Sequence, residues 1–270
     1  MDRKAIARET LGILEQGYYE LPSGRVEIAA AHRASVAGSR FFPAEETPPL
    51  PPVEAGNQTE VVLWDCSTVE AVLRLAAQGA KGVGVLNFAS AKNPGGGFLN
   101  GAMAQEESLA ASGGLYPTLT RHPAYYDRNR ACRSMVYTGC AIYSPEVVFF
   151  RDGAFRLLEH PVTASVLTLP AVNLGQVMQR GEDLPAARAA MGERMERALR
   201  LFGAMENRVL VLGAYGCGVF RNDPEDVARR WQELLNTPDY AGRFRQVVFA
   251  VLDRSRSQSC QRAFAARFGG

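Results

Sequence analysis

Apolar residues along this chain fall into two spacings, one typical of buried strands and the other of amphipathic helices. Short continuous apolar runs predict strands at 60–64, 82–88, 134–143, 147–150, 165–172, 208–212 and 246–252. Helical spacing predicts helices at 2–17, 67–79, 105–113, 185–202, from 223 onward, and 257–268. Because strands and helices alternate over most of the length, the pattern predicts an α/β fold with a largely parallel or mixed sheet.

Several of these helices carry recognisable end signals. Gly17 is placed to end the first helix, since glycine readily adopts the left-handed conformation found after helices. Ser67 and Glu70 have the spacing of a capping box. Asp223 followed by Pro224 is typical of a helix start, with aspartate as the N-cap and proline in the first turn.

A proline-rich segment separates the N-terminal residues from the part of the chain in which predicted strands and helices alternate. Five prolines lie between residues 43 and 56, which predicts an irregular loop with polyproline character. We therefore expect residues 1–56 to form an N-terminal extension, largely helical at its start, that packs on the core. Residues 57–270 are expected to form the main domain as a single structural unit.

Composition and charge exclude several classes of function. The formal charge of +2 is too small to favour non-specific nucleic-acid binding. The five cysteines include no Cys-x-x-Cys pair and the three histidines no HExxH spacing, which argues against a disulfide framework and a metal site. No apolar run approaches the roughly 20 residues that cross a bilayer. These features predict a cytoplasmic protein without membrane association.

The most informative motif is a glycine triplet that directly follows a predicted strand. Asn93-Pro94 precedes Gly95, Gly96 and Gly97. Consecutive glycines let the backbone approach a ligand closely and aim several N–H groups at one anion, above all phosphate. A flexible surface turn is the alternative, although three glycines there cost considerable chain entropy.

A second glycine cluster, 213–220, also follows a predicted strand. Its Gly-x-x-Gly-x-Gly spacing differs from the dinucleotide-binding fingerprint, and no Gly-Lys-Ser/Thr follows it. Ligands of open α/β sheets bind at the carboxyl ends of strands, so we expect both clusters to face one crevice and grip a diphosphate. Phe220 is expected either to pack in the core or to stack on a sugar or base. Cys217 has no neighbouring histidine in sequence to activate it as a nucleophile.

An acidic element, Gln105-Glu106-Glu107, follows the first cluster after seven residues. Acidic residues also suit the first turn of a helix, because they interact favourably with its dipole. Adjacent helical residues point about 100° apart, so these glutamates cannot face each other as the carboxylate pair of a standard glycosidase. One carboxyl can protonate a leaving oxygen and then activate water. The spacing alone leaves open which glutamate does so.

Together, the glycine triplet, the Gln105-Glu106-Glu107 element and the later 216–220 loop resemble the poly(ADP-ribose) glycohydrolases. The short N-terminal segment, with Pro22-Ser23-Gly24, is similar to the microbial-type subfamily. The resemblance implies a macrodomain fold, with three α/β/α layers and a mixed, mainly parallel sheet. It also implies hydrolysis of ribose–ribose O-glycosidic bonds, with release of ADP-ribose from chain ends (exo mode).

The resemblance further implies roles for individual residues. Glu107 would be the catalytic acid, with Glu106 and Asn93 bonded to ribose hydroxyls, and Phe220 against the distal ribose. The full set of substrate-binding residues implied is Asn93, Gly95, Gly96, Gly97, Gln105, Glu106, Gly216, Cys217, Gly218, Val219 and Phe220. Asp65 is a candidate for adenine recognition, and a helix-start residue otherwise. No metal or cofactor is implied.

Poly(ADP-ribose) or ADP-ribosylated macromolecules are the expected partners, ADP-ribose is the expected product, and no direct nucleic-acid binding is expected. Two alternatives share the same loops. One is a macrodomain that binds ADP-ribose without hydrolysing it, although such a module has no need for the acidic element. The other is a hydrolase of mono-ADP-ribosyl linkages, which would differ only in the pocket for the leaving group.

Overall fold

A seven-stranded sheet forms the centre of the computed structural model, which describes residues 2–53 and 56–269. The strands are β1 (Tyr18–Leu21), β2 (Gly24–Glu27), β3 (Arg40–Phe42), β4 (Glu60–Trp64), β5 (Val83–Phe88), β6 (Ala141–Arg151), β7 (Leu157–Leu169), β8 (Val209–Leu212) and β9 (Gln246–Ala250). The helices are α1 (Arg3–Gln16), α2 (Ala29–Gly38), α3 (Thr68–Ala77), α4 (Gln105–Ser112), α5 (Leu115–Thr120), α6 (Pro123–Ala131), α7 (Leu174–Arg180), α8 (Leu184–Ala204), α9 (Pro224–Leu235) and α10 (Ser259–Phe268).

The large sheet has the order β3-β6-β7-β5-β8-β9-β4. Its four pairs from β7 to β4 are parallel, and β6 runs antiparallel to both of its neighbours. This confirms the predicted mixed, mainly parallel sheet. The hairpin β1–β2 forms a separate two-stranded sheet.

Helices cover both faces of the sheet and bury a hydrophobic cluster on each. Neighbouring residues of β5 illustrate the alternation, because Leu86 packs with Met195 and Trp231 on one face and Val85 packs with Leu75 on the other. The first face carries α7 to α10 and the second carries α3 to α6. The architecture is therefore three layers, α/β/α.

The end signals predicted for three helices are confirmed. Gly17 follows α1 with a φ of 85°. Ser67 and Glu70 form both hydrogen bonds of a capping box before α3. The Asp223 side chain accepts a hydrogen bond from the Glu225 N–H at the start of α9.

The predicted strand over 134–143 is wrong for its first seven residues, which form a loop. Side chains replace strand partners there: the Glu182 carboxylate accepts hydrogen bonds from Ser134 and Met135, and Asn129 Oδ1 accepts the Thr138 N–H. Residues 141–143 instead join the predicted strand 147–150 in the single strand β6. Its irregular register around Pro145 is typical of a proline accommodated at a bulge.

Four short helices, α2, α5, α6 and α7, were not expected from the sequence. Pro117 lies inside α5 and Pro123 opens α6, where proline reads as a turn signal. These helices are only 6 to 10 residues long and owe their stability to packing rather than to a strong sequence pattern.

The N-terminal region is joined to the main domain through packing and through the sheet. In α1, Ile6 and Ala7 pack with Phe98, which follows the glycine triplet. The strand β3 lies within residues 1–56 yet pairs with β6 as an edge strand of the large sheet. The proline-rich segment is irregular from 43 to 53, and its residues 54–55 lie outside the described chain. The division at residue 56 stays a prediction.

Candidate active site

A cleft of about 550 Å³ opens at the carboxyl ends of the central strands β5 and β8. Residues of the loop after β5 and of the loop after β8 both line it, although the triplet Gly95, Gly96 and Gly97 is not among the lining residues. The cleft is lined by Phe88, Ala89, Ser90, Ala91, Lys92, Asn93, Ala104, Gln105, Glu106, Glu107, Tyr137, Ala171, Ala214, Gly216, Gly218, Val219 and Phe220.

Gln105 connects the acidic element to the central strand. The pairing of β5 with β8 ends at Val85. Beyond that point, the Gln105 side chain forms hydrogen bonds with the backbone of β5. It accepts a hydrogen bond from the Phe88 N–H at 2.8 Å and donates to the Leu86 carbonyl at 2.7 Å. Its second amide hydrogen goes to Thr68 Oγ1. Although Gln105 lines the cleft, both amide hydrogens are therefore donated within the protein.

Glu106 is the more buried of the two glutamates, with 3% of its surface exposed. Its carboxylate accepts hydrogen bonds from the Ser90 N–H at 2.7 Å and from Asn87 Nδ2 at 3.2 Å. Burial raises the pKa of Glu106 to about 8, although its bonds to Ser90, Asn87 and the Gly95 N–H oppose the shift. Glu106 is thus mainly protonated at neutral pH.

Glu107 is half-buried and is oriented by two backbone groups. Its Oε1 accepts the Gly97 N–H at 2.8 Å, and its Oε2 accepts the Ala104 N–H at 3.0 Å. In the second bond, Glu107 reaches back from the first turn of α4 to the N–H of the N-cap residue Ala104. Two fixed donors hold the carboxyl group in one orientation at the wall of the cleft.

The glycine triplet lies directly behind these carboxyl groups. The Gly97 N–H donates to Glu107 Oε1, and the Gly96 N–H donates to the Asn93 carbonyl in a turn. Gly96 has a φ of 59°, and a Cβ there would collide with Glu107 Oε1. To bind a diphosphate, as expected from the sequence, the triplet would need N–H groups that already donate hydrogen bonds within the protein.

The 216–220 loop presents the opposite arrangement. Within the described part of the chain, the N–H groups of Gly218, Val219 and Phe220 have no hydrogen-bond partner. Three successive free N–H groups at a cleft form the kind of nest that binds anions. The loop is closed from behind by Asn222, whose Nδ2 donates to the carbonyls of Gly216 and Val172.

An aromatic rim borders this loop. The ring of Phe220 is half-buried against the core and also lines the cleft. Its stacking on a sugar or base stays a prediction. Its ring centroid lies 6.1 Å from that of Tyr137, and Lys92 Nζ lies 5.9 Å from the Tyr137 ring. Tyr137 and Lys92 were missed at the sequence level. Only the rarity of lysine in this chain marked Lys92, and nothing local marked Tyr137.

Asn93, Cys217 and Asp65 have different positions. Asn93 is exposed at the cleft. A hydrogen bond to Cys260 and burial raise the pKa of the Cys217 thiol, and a protonated thiol is a poor nucleophile. Asp65 is exposed after β4, three strands from β5 and thus about 14 Å away at the usual strand spacing. It is not among the residues that line the cleft.

Metal ligation and membrane insertion find no support in the described residues. Across 2–53 and 56–269, no three histidine, cysteine, aspartate or glutamate side chains gather as a metal site would require. Over the same residues, no helix combines the length and the apolar character needed to cross a bilayer.

Comparison with known proteins identifies the family. Residues 7–152 match the family model described as the microbial-type PARG catalytic domain. The chain belongs to the microbial-type poly(ADP-ribose) glycohydrolase family. Comparison with curated sequences gives no match.

Solved structures of poly(ADP-ribose) glycohydrolases extend the match to the whole chain. The Thermomonospora curvata structure is 41% identical with a TM-score of 0.93, covering 98% of this chain and 99% of the other. The same enzyme bound to the inhibitor ADP-HPD is 42% identical with a TM-score of 0.90 and the same coverage. A Deinococcus radiodurans structure in complex with ADP-ribose is 41% identical with a TM-score of 0.80, covering 92% and 98%.

Membership of the poly(ADP-ribose) glycohydrolase family confirms two expectations from the sequence. The three-layer macrodomain-like fold is that of the matched structures. The chain is an enzyme of the glycoside hydrolase class. In this chain, the loop after β5 holds the two glutamates and the loop after β8 presents free N–H groups at the same cleft.

Proposed function

We propose that this protein hydrolyses the ribose–ribose O-glycosidic bonds of poly(ADP-ribose) in exo mode, releasing ADP-ribose, with Glu107 as the single general acid and base. The observation that carries the proposal is the shared cleft. A fixed carboxyl group and a set of free N–H groups line the same cleft, which suits a sugar joined to a diphosphate.

In the proposed reaction, Glu107 protonates the 2′ oxygen that leaves from C1″ of the terminal ribose. An oxocarbenium-like centre forms, and the Glu107 carboxylate then takes a proton from the attacking water. The hydrogen bonds from Gly97 and Ala104 support this role, because they orient the carboxyl group through both steps. The substrate's diphosphate, held nearby, helps to stabilise the positive charge at C1″.

We propose that the 216–220 loop holds the diphosphate through its free N–H groups. Gly216, Gly218 and Val219 supply backbone at the cleft, and Cys217 contributes as part of the same loop rather than as a nucleophile. Phe220 packs against the distal ribose. Gly95, Gly96 and Gly97 lie behind the glutamates and act chiefly by placing them.

Glu106 and Asn93 are proposed to hydrogen-bond the ribose hydroxyls, with Gln105 fixing the helix that carries Glu106. The raised pKa of Glu106 makes it a rival for the role of acid, because a general acid must be protonated at working pH. Its carboxyl oxygens are, however, turned inward to Asn87 and Ser90, whereas Glu107 is more exposed. Asp65 stays a candidate for adenine recognition.

The test compares two variants of the same chemistry, Glu107→Gln and Glu106→Gln, on purified poly(ADP-ribose). Loss of the general acid lowers kcat by about a hundredfold or more, since general acid–base catalysis contributes about that much. Glu106→Gln is expected to raise KM more than it lowers kcat. Full activity of Glu107→Gln would overturn the assignment.

Parallel measurements separate the alternatives. Calorimetry with ADP-ribose reports on the cleft, and analysis of early products distinguishes exo from endo cleavage, since exo cleavage releases single ADP-ribose units. Binding of ADP-ribose without turnover of polymer by the wild type would favour a binding module. Preferential release from mono-ADP-ribosylated protein would favour the mono-ADP-ribosyl hydrolase.

A further inference from the structure

A second cavity of about 640 Å³ adjoins the catalytic cleft. Helix α8 forms one side of it, and the segment after β3 and the loop before β6 form the others. Tyr137 lines both this cavity and the cleft, so the two are neighbours. The other lining residues are Ala44, Thr47, Val136, Gly139, Ala190, Glu193, Arg194, Glu196, Arg197 and Arg200.

Two arginines of this arginine-lined cavity have only neutral hydrogen-bond partners. Arg194 donates to the carbonyls of Pro170 and Val136, and Arg197 donates to those of Pro43 and Glu46. Among the described residues, neither guanidinium has a carboxylate at ion-pair distance. Burial lowers the pKa of both, which reflects the cost of a cation removed from water.

The charge of the cavity is therefore unbalanced at one end. Arg197 Nε is buried without a hydrogen-bond partner. Arg200 is shared between Asp239 at 3.4 Å and Glu196 at 3.9 Å, and Glu193 is exposed. Carbonyl dipoles do not neutralise a buried cation, so an anion entering the cavity gains the attraction of Arg194 and Arg197.

The position of Tyr137 connects the cavity to the proposed reaction. Its ring packs beside Phe220, the residue proposed to contact the distal ribose whose C1″ carries the leaving group. A polymer continues from that carbon into its next ADP-ribosyl unit. Tyr137 and the cavity next to it thus lie beside the ribose from which the next unit must extend. That unit contains an adenine, which can stack on aromatic rings, and a diphosphate, which can pair with arginine.

We propose that this cavity is a subsite for the penultimate ADP-ribosyl unit of the polymer, with its diphosphate bound near Arg197 and Arg200 and Tyr137 forming the shared wall. The proposal rests on the function proposed above. It gives the enzyme a means to prefer polymer over single ADP-ribosyl groups, because a substrate with one unit leaves the cavity empty.

The test uses binding rather than turnover, in Glu107→Gln protein, with ADP-ribose and an ADP-ribose dimer as ligands. Arg200→Glu is expected to weaken dimer binding about tenfold, the equivalent of one charge-assisted hydrogen bond, and to leave ADP-ribose binding unchanged. Arg188→Glu is the matched control, since Arg188 is exposed on the same helix and does not line the cavity. Ala190→Tyr fills the cavity without changing its charge and should act like Arg200→Glu.

The subsite is overturned if Glu107→Gln protein binds the dimer equally well alone and with Arg200→Glu or Ala190→Tyr added, each with an unchanged melting temperature. A parallel loss of ADP-ribose affinity also overturns it, because the effect would then belong to the cleft. Failure of the proposed function is recognised separately, as absence of polymer hydrolysis by the otherwise unaltered enzyme. The dimer affinities still decide the subsite in that case.

Discussion

Glu106 and Glu107 are neighbours in sequence and have distinct environments in the fold. Glu106 points into the protein toward Asn87 on β5, and burial raises its pKa to about 8. Glu107 stands at the cleft wall between the N–H groups of Gly97 and Ala104. One turn of helix thus supplies a buried, mainly neutral carboxyl group and an oriented, accessible one. This difference in environment is what allows two identical side chains to have separate roles.

The raised pKa of Glu106 predicts how stability varies with pH. Between the ordinary glutamate pKa of 4.5 and about 8, the folded protein keeps a proton that the unfolded chain has released. The free energy of unfolding therefore falls as pH rises through this window and levels off above it. Glu106→Gln removes this titration, so its stability relative to wild type should rise from about pH 5 to about pH 9.

Chemical denaturation at several pH values measures this difference. The exposed Glu15 on α1 provides the control, because Glu15→Gln changes the same group outside the core. A stability difference between wild type and Glu106→Gln that stays constant with pH would contradict the assignment of a raised pKa.

At the scale of elements, the two glycine loops are complementary. The loop after β5 directs its N–H groups inward to carboxyl groups of α4. The loop after β8 leaves three N–H groups free and uses Asn222 to hold its shape. Both follow parallel strands that are neighbours in the sheet, so their tips meet across one cleft. The two loops are both rich in glycine and have different roles. The loop after β5 positions a carboxyl group, and the loop after β8 exposes N–H groups that can bind an anion.

The inward-facing loop can be tested with a pair of glycine substitutions. Gly96 and Gly79 both have positive φ, at 59° and 74°, so alanine strains the backbone at either position. A Cβ at Gly79 meets open space, whereas one at Gly96 meets Glu107 Oε1. Both variants should lose about 1 kcal/mol of stability. Gly96→Ala alone should also lose about a hundredfold in kcat, as expected for a displaced catalytic group.

Steady-state kinetics and thermal unfolding of both variants give the answer. Retention of wild-type kcat by Gly96→Ala would show that contact between the loop and Glu107 is unimportant for turnover.

At the scale of the molecule, the N-terminal helix supports the site from outside the sheet. Ile6 and Ala7 of α1 pack with Phe98 below the glycine loop and with Ala110 of α4. Thr10 Oγ1 donates to the Ala111 carbonyl, and Arg151 of β6 ties Thr10 to the sheet. The helix therefore contacts the β5 loop, α4 and the sheet at once.

Two substitutions on that helix separate support of the site from general stability. Ile6→Ala and Ile13→Ala remove the same atoms from buried positions, each costing about 2–5 kcal/mol. Ile13 packs with Tyr19 and Val148, away from the cleft, whereas Ile6 packs under the loop that orients Glu107. We expect only Ile6→Ala to lower kcat at temperatures where both variants remain folded. Equal kcat in the two variants would contradict a supporting role for α1.

The α/β class, most of the strands and three helix ends could be predicted from the amino-acid sequence alone. The same is true of the positions of the two glycine loops and of the acidic element Gln105-Glu106-Glu107. These features depend on local signals: hydrophobic period, capping residues and glycine runs are written in neighbouring positions. The family resemblance depended on the same local motifs. Local signals failed at 134–140, where Glu182 and Asn129, distant in sequence or on another element, satisfy the backbone.

How the glycine loops and the acidic element contact each other became visible in the folded structure alone. It showed that the Gly97 N–H binds Glu107, that Glu106 is buried and that Tyr137 lines both the cleft and the arginine-lined cavity. Burial, pKa and the use of a hydrogen-bond donor all depend on what lies nearby in space. The fold brings together residues that are far apart in sequence, from β5, α4, the 134–140 loop and α8. No local sequence pattern predicts that these segments lie close together.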